Sequence, residues 1–126
     1  MTTKGAYILR SYPFHEYQKA SERTMGNPDG LPERERIMIA TLGLTGEAGE
    51  VADMIKKAFG HGHELDLDKL KKELGDCFWY IAFLCHLCDL DMADVAITNV
   101  EKLKARYPEG FSFADSIKRV DVKEGE

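Results

Sequence analysis

The chain has 126 residues, of which 44% are hydrophobic and 31% charged, and its formal net charge is −5. That length and composition fit one soluble domain spanning residues 1–126 and leave no room for a second. The acidic balance excludes a protein held on nucleic acid by phosphate contacts, which needs a basic face.

Apolar residues recur at spacings of three and four and nowhere alternate, so the chain is expected to be all-α. A first helix is predicted from Pro13, a residue favoured in the first turn, to about Met25. Its apolar face is Phe14, Tyr17, Ala20 or Ser21, and Met25. "GNPDGLP", residues 26–32, is a loop by its glycines and prolines. A second helix opens at Pro32 with Glu33 and Glu35 in its first turn and reaches Phe59. Its stripe is Ile37, Ala40, Leu44, Ala48, Val51, Ile55 and Ala58. "GHGHELDLD", residues 60–68, is a polar loop with glycine at the helix end. The third helix runs from about Asp68 to Cys88, with Leu70, Leu74, Cys77, Ile81, Leu84 and Cys88 in heptad spacing. Asp91 can cap a fourth helix, Met92 to Tyr107, which Pro108 stops. After "PEGFSF" the tail becomes increasingly charged, and "VDVKEGE" is expected to fray. Short loops between such helices favour an antiparallel four-helix bundle. Phe78, Trp79, Phe83 and Leu87 lie off the stripe of the third helix, leaving apolar surface that one chain covers only in part. At least a homodimer is expected.

The three cysteines are an odd number, and Lys4 and Arg10 flank only a few apolar residues at the N-terminus. Reduced thiols and a cytoplasmic setting follow. The longest apolar run, Cys77 to Leu90, is interrupted by His86 and Asp89 and is too short to cross a bilayer.

"GEAGEVAD", residues 46–53, puts carboxylates where a core face is expected. At about 100° per residue, Glu47 falls three after Leu44 and four before Val51, inside the apolar stripe. Glu50 lies one turn on, about 60° round, at the edge of that stripe. The third helix repeats the arrangement with Glu73 and Asp76, and Tyr80 continues that line four residues later. Like charges converging in low dielectric need a cation, or one must take up a proton. Four carboxylates without histidine or cysteine offer hard oxygen ligands that suit Mg²⁺, with Mn²⁺ as substitute. A di-iron carboxylate bundle would need Glu-x-x-His, which neither pair supplies. The plain alternative is solvated helix charge; a single such pair is common, two on adjacent helices much less so. Gly43, Gly46 and Gly49 form a ridge that lets a backbone or ligand approach, or simply packs tightly, at about 1 kcal/mol each against alanine.

On the fourth helix Asn99, Lys102 and Arg106 share one side, as a polyphosphate would require, although a solvated basic face has the same spacing. Lys56 and Lys57 either add to that charge or pair with Asp53. "CHLC", Cys85 to Cys88, resembles half a zinc site but lacks a second pair, so both cysteines read as small hydrophobes. Trp79 and Phe78 read as core or interface, whereas Tyr80, on the acidic line, is a candidate substrate contact.

"GEAGEVAD", then "KELGDCFWYIAFL", then "NVEKLKARYP" together resemble the MazG-like all-α nucleoside triphosphate pyrophosphohydrolases over roughly residues 37–111. The N-terminal "FHEYQKASERT" is similar to the first helix of single-domain members. The resemblance implies hydrolysis of nucleoside or deoxynucleoside triphosphates between the α and β phosphates, dependent on Mg²⁺, by dimers or tetramers. It implies metal ligation by Glu47, Glu50, Glu73 and Asp76, and substrate contacts from Asn99, Lys102 and Arg106. Glu50 is the carboxylate assigned to take the proton of the attacking water. Where many members carry a double glutamate, Gly46 precedes Glu47 here, removing one acidic group. The rival reading is a metal-stabilised helical module that binds a protein partner and catalyses nothing.

Overall fold

The computed structural model describes residues 9–122. Lys4 of the N-terminal reading and the last four residues of the charged tail lie outside the described residues. Within them all regular structure is helical. In order come α1 (Phe14–Ser21), a 3-10 turn (Glu22–Thr24), α2 (Glu33–Gly60), α3 (Leu67–Leu87), α4 (Met92–Arg106) and α5 (Phe113–Lys118). No described helix is long and apolar enough to cross a membrane.

The helix ends follow from local chemistry. Asp66 accepts from the Lys69 amide at 3.0 Å and Asp91 from the Ala93 amide at 2.9 Å, capping α3 and α4. Each such cap supplies about 1 kcal/mol by satisfying a free helical N–H. Gly62, at φ 73°, turns the chain left-handed after α2 so that the His63 amide reaches the Lys57 carbonyl at 3.0 Å. The helix α5 was not anticipated, although Ser112 three residues before Asp115 is a capping signature and its hydroxyl does accept from the Asp115 amide. The start of "VDVKEGE" makes two contacts. The Val122 amide donates to the Arg119 carbonyl, and Asp121 is buried against Arg106.

α2 and α3 form the main pair. Arg36 lies over Phe83, Gly43 meets Tyr80, and Glu47 meets Asp76, so the two helices run antiparallel. α1 packs on the other side of α3, and α4 packs on α1. This explains the all-round apolar character of α3. It is the middle layer, and Ala82, Phe83, Cys85 and Leu87 are all buried on it.

The core gathers Met25, Ala40, Ala82, Phe83, Cys85, Leu87 and Met92 at one end of the α2–α3 pair. Trp79 fits its indole edge by donating to the Thr24 hydroxyl at 2.6 Å. Gln18 ties α1 to α4, donating to the Leu90 carbonyl and accepting from the Met92 amide, both at 2.8 Å. The heptad and stripe assignments need correction at three positions. Ala48, Leu74 and Cys88 are exposed: the α2–α3 seam follows Ala40, Gly43 and Glu47, about 100° round from Ala48, and Cys88 lies past the last residue of α3. On α1 it is Ser21, not Ala20, that is buried, its hydroxyl bonded to the Tyr17 carbonyl at 2.8 Å.

Candidate metal centre

One turn beyond Gly43 on the same ridge, Glu47 faces α3, where Glu73 and Asp76 stand one turn apart. One carboxylate oxygen from each of the three lies within 4.8 Å of the others. Glu47 and Glu73 are half-buried and Asp76 is exposed, so the group opens to solvent on one side. Burial, then the charges of Asp76 and Glu73, push the Glu47 carboxyl above its ordinary range, with Glu50 adding a smaller repulsion. Two oxygens bound to one Mg²⁺ are at most about 4.2 Å apart, twice a 2.1 Å bond. The 4.8 Å bound on the spacing of the three oxygens lies slightly above that limit. An all-oxygen, like-charged set of this kind fits a hard divalent cation.

The other sequence-predicted residues are placed differently. Glu50 is exposed and stands outside the three-carboxylate group, although its charge still adds to the repulsion on Glu47. Tyr80 is half-buried, packed between Gly43 and Trp79, whose ring centroid is 5.0 Å from its own. Gly43 is thus the member of the glycine ridge that admits a close approach; an added Cβ at Gly46 or Gly49 would meet nothing within 4 Å. Asn99 and Lys102 are exposed on α4. Arg106 is held by Asp121, with Nε and Nη2 donating to the two carboxylate oxygens at 2.5 Å each. Asp121 is the partner that sequence reasoning missed. Lys56 and Lys57 pair with Asp53 at 3.1 and 2.6 Å, the local alternative foreseen for them. Cys85 is buried, which pushes its thiol pKa up, and Cys88 is exposed.

The family model for the MazG nucleotide pyrophosphohydrolase domain matches residues 38–111, more than half of the chain. The chain belongs to the MazG nucleotide pyrophosphohydrolase family. The matched MazG region contains all three converging carboxylates, Gly43, Tyr80 and the whole of α4, and stops before α5. The chain is also 38% identical over 80 residues to the Gene 37 protein of Mycobacterium phage L5, covering 60% of this chain and 70% of that protein. No solved structure matches the chain significantly.

Proposed function

We propose that this MazG chain hydrolyses nucleoside or deoxynucleoside triphosphates between the α and β phosphates, releasing a monophosphate and pyrophosphate. The observation that carries the reading is the meeting of Glu47, Glu73 and Asp76 across the α2–α3 seam of a MazG domain. Those three residues would hold Mg²⁺, or Mn²⁺ in its place. When bound, the cation supplies Lewis acidity and neutralises phosphate charge.

The remaining roles belong to the chain's own side chains. Glu50 is solvent-exposed one turn from Glu47, and its carboxylate is the group we assign to accept a proton from the attacking water. We assign Lys102 and Arg106 to the developing charge on the leaving pyrophosphate, and Asn99 and Tyr80 to substrate contact. We take residues 12–113 as the core of one MazG-like unit, to which Asp121 attaches the following segment. The assembly is proposed to be a dimer or tetramer in the cytoplasm. Support for association comes from the exposed apolar residues Val95, Ile97 and Val100 on α4, Leu42 on α2 and Phe78 on α3.

A panel of ribo- and deoxyribonucleoside triphosphates with Mg²⁺ tests the reading by its products. Monophosphate with pyrophosphate supports it, and diphosphate with phosphate contradicts it. Absence of turnover on every nucleotide would favour the non-catalytic module.

A further inference from the structure

We propose that Ser112–Val122 is an autoinhibitory latch, with Asp121 occupying on Arg106 the place a substrate phosphate would take. The inference rests on the assignment of Arg106 to the triphosphate. Two parallel bonds from one guanidinium edge to one carboxylate form the same fork that arginine offers to phosphate. The fork is shielded as well as filled, since the side chains of Arg106 and Asp121 are only 16% and 3% exposed. A phosphate oxygen takes the Nε–Nη2 edge of Arg106 only after Asp121 has left it.

The segment has little else to hold it. Among the described residues α5 packs extensively on no other helix, and its apolar residues Phe113 and Ile117 are 80% and 85% exposed. Its aromatic contacts are confined to the local run Tyr107, Phe111 and Phe113. The turn that brings Asp121 back passes through Arg119 at φ 49°, a left-handed conformation that a non-glycine residue adopts at a cost. Few apolar contacts and a strained turn give a segment that opens at low free energy. Tyr107 stays behind when it opens: its ring centroid is 5.8 Å from the Arg106 guanidinium carbon and keeps the guanidinium oriented. Phosphate binding and latch release are then one exchange on one guanidinium, and each favours the other.

Inorganic triphosphate with Mg²⁺ is the probe, titrated calorimetrically into the unaltered chain and into Asp121→Asn. Hydrogen exchange is followed at the amides of Arg119 and Val122, whose bonds to Asp115 and Arg119 close the turn. The latch requires Asp121→Asn to tighten triphosphate binding by about tenfold, since a closed population lowers apparent affinity in proportion. It also requires triphosphate to speed exchange at both amides of the unaltered chain. Equal affinities, or slower exchange on binding, would overturn the latch and leave Asp121 a structural anchor. The exchange arm needs no variant, so it remains decisive if Asp121→Asn fails to fold. Pyrophosphate release from nucleoside triphosphates is read on the same samples. Normal release with equal affinities sinks the latch alone; no release and no triphosphate binding sinks the site assignment and the latch together.

Discussion

Tyr80 lays its ring on the bare backbone of Gly43, across the antiparallel seam of α2 and α3. A Cβ added at residue 43 would stand 2.7 Å from Tyr80 Cδ1 and closer still to Cε1 and Cζ. Glycine inside a helix costs about 1 kcal/mol against alanine, but here the alternative is overlap with a ring wedged beside Trp79. Overpacking of that kind costs about 1 to 3 kcal/mol, so the clash wins. Gly43→Ala should lower the melting temperature. Gly46→Ala, in open space, should raise it through helix propensity alone. Thermal melts of the two variants side by side check both signs.

Glu73 tests whether the carboxylates act together. Glu73→Gln removes one of the like charges that crowd Glu47, so metal-free protein should keep its helical signal and melt no lower. Turnover should nevertheless fall by roughly hundredfold or more, because losing a ligand costs more than losing a group that only supports one. Circular dichroism, pyrophosphate release and Mg²⁺ titration are read together. Loss of helical signal along with activity would make Glu73 a structural residue.

The proposed phosphate half of the site is tested on α4. Arg106→Ala and Lys102→Ala should each lower kcat/KM by roughly tenfold to hundredfold, as expected for one charge-assisted contact. Mg²⁺ binding to the substrate-free protein should persist in both, since neither cation can be a ligand. Glu47→Gln should instead weaken Mg²⁺ binding itself. Normal kinetics of both α4 variants on every nucleotide would leave that face merely solvated.

Acid should loosen the C-terminal segment. Hydrogen bonds from Arg106 hold the Asp121 carboxyl below its ordinary value of 3.8, and the nearby charges of Arg106 and Arg119 add to this. Arg106 itself is held further into its charged range by Asp121 and Tyr107. For a carboxyl depressed on folding, the stabilisation is complete above the ordinary value. It is lost as pH falls through the depressed one. A carboxyl-carbon NMR titration should find the Asp121 midpoint below 3.8 in the unaltered chain and back toward that value in Arg106→Ala. An undepressed midpoint in the unaltered chain would mean that the pair does not form in solution.

Much of this molecule was legible before any coordinates, because helix periodicity, capping and chain reversal are local. Pro13, Asp91 and Pro108 mark boundaries that the helices respect, and the glycine-rich loop after Phe59 ends α2 close to where it was expected. Placing Glu47 on an inner face required only its spacing from Leu44 and Val51. What spacing could not say was which ridge of α2 meets which ridge of α3. A rotation of 60° separates Glu47, which joins Glu73 and Asp76, from Glu50, which does not. The same uncertainty hid the difference between Gly43, pressed by Tyr80, and Gly46, which faces open space. The pairing of Arg106 with Asp121 spans fifteen residues and a left-handed turn, so no local pattern announces it. Local sequence determined where helices start, stop and carry charge. Only the packed chain decided which of those charges meet, because that depends on how whole helices rotate and settle against one another.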